Sequence, residues 1–239
     1  MNLFTEAFAW LFSPDRLEGN TALTTAIAVH LFYTFVSLLI AALIAIPIGY
    51  LIGHTGKGRE LAVGISGAAR ALPSFGLILL LVLVIGVTQK EVAAFTAFVL
   101  LGIPSVLAGA YSGLEAIDRR IIDSARAVGM TEWQILWKVE VPLGLPLLIG
   151  GLRSAALQIV ATVTLAAYIG LGGLGQYIIA GLRLRQFDQM LGAAIVIIVL
   201  ALVIDGLFAL LQHVVVPAGV SAGRTSDTRT RSSRSRAVA

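Results

Sequence analysis

The sequence predicts an all-α integral membrane protein that crosses the bilayer about five times. Of its 239 residues, 58% are hydrophobic and only 13% charged, and the mean hydropathy is +0.93. A soluble domain carries about 25% charged residues, and its surface needs polar cover that this chain cannot supply. Four stretches, residues 27–53, 92–113, 143–171 and 190–216, each hold the ~20 mostly apolar residues that a spanning helix requires. The cations outside these stretches fall mainly on one side of the predicted membrane.

A fifth stretch, residues 61–87, carries Arg70 and Pro73 in its first half and an uninterrupted apolar run in its second. It is expected to be a span whose inner end is irregular or packed against protein, where broken backbone is tolerated. The N-terminal run 4–12 is too short to cross; with Trp10 and Pro14 it suits an interfacial helix, so residues 1–23 form an N-terminal segment ahead of a membrane domain at 24–216. That N-terminus has no basic region and no small-residue cleavage site, so no cleaved signal peptide is expected. Residues 217–239, rich in Ser, Thr and Arg, have too little apolar surface to fold and are expected to be a disordered basic tail, within reach of anionic lipid.

With an odd number of spans, one set of loops and the tail holds Lys57, Arg59, Arg119, Arg120, Arg126, Lys138, Arg224, Arg229, Arg231, Arg234 and Arg236. The other set holds Arg16, Lys90, Arg183 and Arg185. Eleven against four places the first set in the cytoplasm, the N-terminus outside and the C-terminus inside. The net charge of +4 therefore reflects topology, and nucleic acid is not an expected partner. Without cysteine there are no disulfides or thiolate metal sites, and no metal site is expected.

The longest loop between spans, residues 114–142, is patterned. Ile117, Ile121, Ala125 and Val128 recur at helical spacing over 114–128. Gly129 follows, free to end a helix in the left-handed region. Thr131-Glu132-Trp133-Gln134 is a capping box that starts a second helix, expected to reach about Glu140 before Pro142 interrupts the chain. A rigid helix–turn–helix elbow is the result, of a shape suited to a groove in a soluble partner.

Asp123-Ser124-Ala125-Arg126-Ala127-Val128-Gly129, with Val139-Glu140-Val141-Pro142 after nine intervening residues, resembles the EAA loop of ABC-importer permeases. In that pattern Glu-Ala-Ala precedes a Gly by three residues, and Ile-x-Leu-Pro follows nine residues later. Asp123 stands for the Glu, Ser124 for the first Ala, and Val139 and Val141 for Ile and Leu. Leu72-Pro73-Ser74, Gly129-Met130-Thr131, Trp137-Lys138-Val139-Glu140-Val141-Pro142, Gly151-Leu152-Arg153 and the run from Ala167-Tyr168 to Gly175 are similar to the osmoprotectant branch, whose importers carry glycine betaine, carnitine or choline. The likeness covers residues 24–213; Gly109-Ala110-Tyr111 departs from that branch's Asn-Thr-Tyr.

The resemblance implies a type I ABC-importer permease fold and a transport component that is not itself an enzyme. It implies two ATPase subunits that use ATP and Mg, a second permease subunit, identical or not, and an extracytoplasmic substrate-binding protein, with no cofactor on this chain. Asp123, Ser124, Ala125, Arg126, Gly129, Met130, Thr131, Trp133, Val139 and Pro142 would serve ATPase coupling, with Trp137 an interfacial anchor. An amino acid or another small solute is the alternative cargo.

Charges inside a span are costly. Arg153 and Asp205 both fall in the inner halves of their spans and are expected to pair, or to share the pairing with Arg70. Gly150-Gly151 and Ala155-Ala156 mark a close helix approach, and Pro73 and Tyr168 are candidate residues of the translocation pathway. His30 is expected to be a packed or hydrogen-bonded residue. The GxGxxG at Gly170–Gly175 follows no strand, and Gly53–Gly58 lacks a phosphate loop's first Gly and its Ser or Thr, so neither is a nucleotide site. A rival of another class, an intramembrane serine protease, would need Ser66 of the Gly64-Ile65-Ser66-Gly67 run to meet His213. A passive channel would need a filter motif that is absent.

Overall fold

The computed structural model describes residues 2–16 and 22–215, apart from the side chains of Asp15 and Arg70; the expected tail at 217–239 and the expected role of Arg70 lie outside them. Every long element among these residues is a helix. Helix α1 (Leu3–Leu11) precedes α2 (Leu23–Thr55), whose 33 residues span about 50 Å. Next come α3 (Arg59–Ala71), α4 (Ser74–Ile85) and α5 (Lys90–Glu115). Two short helices, α6 (Arg119–Ala127) and α7 (Glu132–Ile135), lead to α8 (Val141–Ala166), then α9 (Gly175–Leu184) and α10 (Phe187–Val215).

Four helical runs are long and apolar enough to cross a membrane: 23–55, 87–115, 132–169 and 187–215. The stretch at 61–87 is not one helix. Its halves α3 and α4 meet at 90° around Leu72 and Pro73. Leu72 is extended (φ −69°, ψ 130°), the conformation that a following proline ring enforces. The 12 residues of α4 reach only about 18 Å, short of the ~30 Å hydrocarbon layer.

α5 is the spine, gripped on two sides through residues without side chains. On one side Gly109 and Gly113 meet Gly144 and Gly151 of α8, so closely that a Cβ on Gly151 would lie 2.6 Å from the Ser105 carbonyl oxygen. On the other, Gly49 and Gly53 of α2 rest on Ala110, Tyr111 and Leu114, and a Cβ on Gly49 would lie 2.5 Å from that of Ala110. Helices in lipid gain little from burying apolar surface against each other, so van der Waals fit through small residues holds them together. Gly151 and the fully buried Ala155 and Ala156 sit in this packing, whereas Gly150 faces open space.

Trp10 of α1 turns into the protein. It lies against Gly192 of α10, meets Tyr177 edge-on at 5.3 Å between ring centres, and carries the Arg16 guanidinium 5.0 Å above its ring.

Gly151→Val drives a branched side chain into the backbone of α5 and is expected to cost at least about 1–3 kcal/mol, read as a lower melting temperature of the detergent-solubilised protein. Gly150→Val, one residue away in open space, should leave that temperature nearly unchanged.

Candidate functional site

The loop between α5 and α8 folds as an elbow. α5 ends at Glu115, and the chain restarts at Asp118, whose carboxylate accepts from the Arg120 N–H at 2.9 Å and caps α6. The single helix expected over 114–128 is therefore two helices, and this break resets which face is buried. Ile122 and Ala125, with Ile117 beside them, pack on Ile135, Met130 and Val139 in a small core of the elbow's own. Ile121 and Val128, which belong to the same helical repeat, are exposed.

Gly129 turns the chain at φ +84°, where a side chain would be strained. The Met130 N–H reaches back to the Ala125 carbonyl at 3.1 Å. Thr131 and Gln134 form the reciprocal capping box: the Thr131 hydroxyl accepts from the Gln134 N–H, and the Gln134 side chain accepts from the Thr131 N–H at 3.0 Å. α7 then passes through a single π turn, Leu136–Glu140, directly into α8. Pro142 does not interrupt the chain as expected. It sits in the first turn of α8, and the wide turn before it opens the hydrogen-bond ladder where its ring would otherwise strike a carbonyl. The elbow's second arm and the span form one helical run from 132 to 169.

Polar side chains lock the two arms. Arg126 donates to both carboxylate oxygens of Glu132, at 2.8 and 3.1 Å, and lies 3.6 Å from Asp123. The hydrogen bond to Glu132, and then its charge, raise the Arg126 pKa above its ordinary value. The Ser124 hydroxyl is spent on the Arg120 carbonyl at 2.7 Å. Of the residues named for coupling, Asp123, Ser124, Arg126, Gly129, Thr131 and Trp133 are exposed, while Ala125 is buried and Met130 and Val139 pack on the same core; those three shape the elbow instead of surfacing it. Trp137 stands edge-on to Tyr50 at 6.4 Å between ring centres.

His54, in the last turn of α2, and Glu140, in the π turn, were missed in the sequence. Their contact of 2.5 Å joins positions 86 residues apart, a separation at which no local pattern signals proximity. Within the membrane domain, Arg153 of α8 donates through Nε and Nη2 to the two carboxylate oxygens of Asp205 in α10, a bidentate pair between neighbouring spans.

Residues 45–218 match the family of binding-protein-dependent transport system inner membrane components. The chain belongs to this family. It is a multi-pass membrane transport component. Its relatives include a glycine betaine/carnitine/choline transport system permease protein of Bacillus subtilis, 29% identical over 80% of this chain and 87% of the relative. A carnitine transport permease protein of Listeria monocytogenes is 31% identical over 82% and 88%. An osmoprotectant import permease protein of Salmonella typhimurium is 32% identical over 80% and 90%. Among solved structures, an inward-facing MetNI methionine ABC transporter superposes with a TM-score of 0.69 at 22% identity, covering 82% of this chain and 96% of the other. An amino acid ABC transporter gives 0.66 at 18% identity, covering 80% and 92%. The fold is that of an ABC-importer permease.

The permease places Tyr168, 54% exposed, in a short 3₁₀ turn at the end of α8 away from the elbow, its ring edge-on to Phe75 at 5.3 Å. Phe75 follows Pro73 by two residues, so the bend between α3 and α4 and the Tyr168 turn are neighbours through this ring pair. Tyr168, Gln176 and Arg183 line a cleft of about 420 Å³ at that end. Gly170, Gly172 and Gly173 all have positive φ, so the GxGxxG run is a tight turn, pinned by Lys90, which donates to the Gly170 carbonyl at 2.8 Å. His30 is buried, with Nε2 3.2 Å from the Val160 carbonyl oxygen, which makes it a packed, hydrogen-bonded residue. Ser66 is buried with no hydrogen-bond partner, so neither His213 nor any other described residue is placed to activate it as a protease nucleophile.

Reversing one member of the Arg153–Asp205 pair puts two like charges together inside the bundle. Arg153→Asp and Asp205→Arg should each lower the yield and melting temperature of the permease, and the double exchange should recover much of both. A double variant no better than either single one would show that the pair contributes nothing net.

Proposed function

We propose that this permease is the membrane-spanning subunit of an ATP-driven importer of osmoprotectants, quaternary ammonium compounds such as glycine betaine, choline or carnitine. The observation that carries the reading is the match of most of the chain, at 29–32% identity, to permeases that are named for these solutes. The amino acid transporters that share the fold are 22% identical or less, and likeness at that level speaks for the fold alone.

ATP would be hydrolysed by partner ATPase subunits, a second permease subunit would complete the pore, and an extracytoplasmic binding protein would deliver the solute. In this reading the elbow faces the cytoplasm, the N-terminus lies outside and the C-terminus inside. The excess of Lys and Arg on the elbow side supports that orientation.

The elbow is the coupling element. Its exposed surface of Asp123, Arg126, Gly129 and Trp133 docks on the ATPase, and because α7 runs on into α8, a push there moves a whole span. A partner can bias the permease only through contacts that differ between its nucleotide states. At the far end, the Tyr168 ring offers a π face to a quaternary ammonium, beside the bend at Pro73 where the pathway would open.

Gly129→Val meets no neighbour within 4 Å, but places a branched side chain on a left-handed residue at a local cost of about 1–2 kcal/mol. The expected outcome is a permease that inserts normally yet takes up radiolabelled glycine betaine at a small fraction of the native rate under osmotic stress, with loss of co-purifying ATPase. Normal uptake in this variant would remove the coupling role of the elbow. A native complex that transports no quaternary ammonium compound would remove the substrate assignment.

A further inference from the structure

The elbow runs on as helix into α8 and is joined to α5 by residues 116–118. Between it and α2 runs an open groove of about 860 Å³, walled by Pro47, Tyr50 and Leu51 on one side and by Trp133, Leu136 and Trp137 on the other. Side chains facing each other across such a gap transmit little force, because dispersion forces fade within an ångström of lost contact. The edge contact of Tyr50 with Trp137, 6.4 Å between ring centres, is a single weak one. His54, which lines the same groove, makes a firmer contact.

His54 points its Nδ1 at the Glu140 carboxylate, 2.5 Å away, and its Nε2 at Glu132, 3.5 Å away. Glu132 is held in turn by Arg126, and Arg126 lies beside Asp123. Ionisable side chains thus follow one another from α6 through α7 and the π turn to the last turn of α2. Glu140 is 6% exposed, and its carboxylate has His54 as its one hydrogen-bond partner among the described residues. A buried carboxylate held by a single donor resists separation from it, because parting leaves the charge uncompensated.

We propose that His54 is the positioning residue that makes α2 travel with the elbow, so that one ATPase stroke moves α2 and α8 together. The inference rests on the coupling role proposed above for the elbow, and adds the second helix on which that stroke acts. Since α2 grips α5 through Gly49 and Gly53, a clamp at His54 also ties the elbow to the far side of the spine. Without it the elbow would reach α2 only indirectly, through α8 and α5, and the groove would absorb part of the movement.

The permease has no cysteine, so pairs of introduced cysteines carry the only spin labels on this chain when it is assembled with cysteine-free partner subunits. Thr55, at the end of α2, and Arg120, on α6, are both exposed. In the native complex the distance between them should be the same without nucleotide and with ATP trapped, while the distance from Arg120 to Val87 at the other end shifts. In His54→Ala the Thr55–Arg120 distance should shift between the two states, and solute transported per ATP hydrolysed should fall about fivefold or more, the lower end of ordinary coupling free energies, with the ATPase rate retained.

His54→Asn, which can place an amide N–H near the position of Nδ1, should restore much of the coupling. His54→Ala with Glu140→Gln removes the buried charge, so it should regain the native melting temperature yet stay uncoupled, which separates positioning from folding. Native coupling in that double variant would overturn the proposal. So would a native complex in which the elbow moves and Thr55 stays behind. An elbow that does not move relative to Val87 when ATP binds would overturn the coupling reading itself, and this inference with it.

Discussion

The close approach of α5 to α8 and α2 is the constraint on which the rest depends. In lipid, apolar side chains gain little by leaving one hydrocarbon surface for another, so the helices must fit at short range. Gly109, Gly113, Gly144 and Gly151 on one side, and Gly49 and Gly53 on the other, remove the atoms that would hold the backbones apart. The result is a three-helix block that can receive a push at one end without deforming. Outside the block α3 and α4 meet at a sharp corner and pack on the same core through Ala62 and Ile78.

On that block the elbow is built as a separate small solid. Its arms share a core of Ile122, Ala125 and Ile135, are capped by Asp118 and Thr131, and are cross-braced by Arg126 and Glu132. Each device satisfies backbone or charge locally, so the elbow keeps its shape while its outer surface stays available. In the coupling role proposed above, a stiff joint at the end of the spans and a stiff bundle between them would together pass on a soluble motor's movement.

Much of this was legible in the sequence where the cause is local. Apolar runs of sufficient length disclosed the four long spans, the Thr131-to-Gln134 spacing disclosed the capping box, and Gly129 disclosed the turn. Arg153 and Asp205, 52 residues apart, could be matched because a lone charge in a span demands a partner and few candidates lie at the same depth. The failures also share a cause. Pro142 was read as a break because the rule for proline assumes a regular α register, which the π turn relaxes. Residues 114–128 were read as one helix because the break at 116–118 rests on one capping aspartate. His54 and Glu140 escaped because each reads alone as a surface residue near a helix end, and only the tertiary fold brings them together.

The π turn carries a further consequence. Successive residues of an α-helix point about 100° apart around its axis, so the number of residues between two points on a continuous helix is also an angle. From Thr131 through Pro142 the chain winds on without a joint; inserting or deleting one residue there would swing the elbow about a quarter of a circle relative to α8. Glu140, on the α8 side of such a change, would keep its place beside α2, while Glu132 and α6 would aim at a different quadrant. The nine residues between Gly129 and Val139 are therefore a setting of direction, and the length of this segment should tolerate change far less than its composition does.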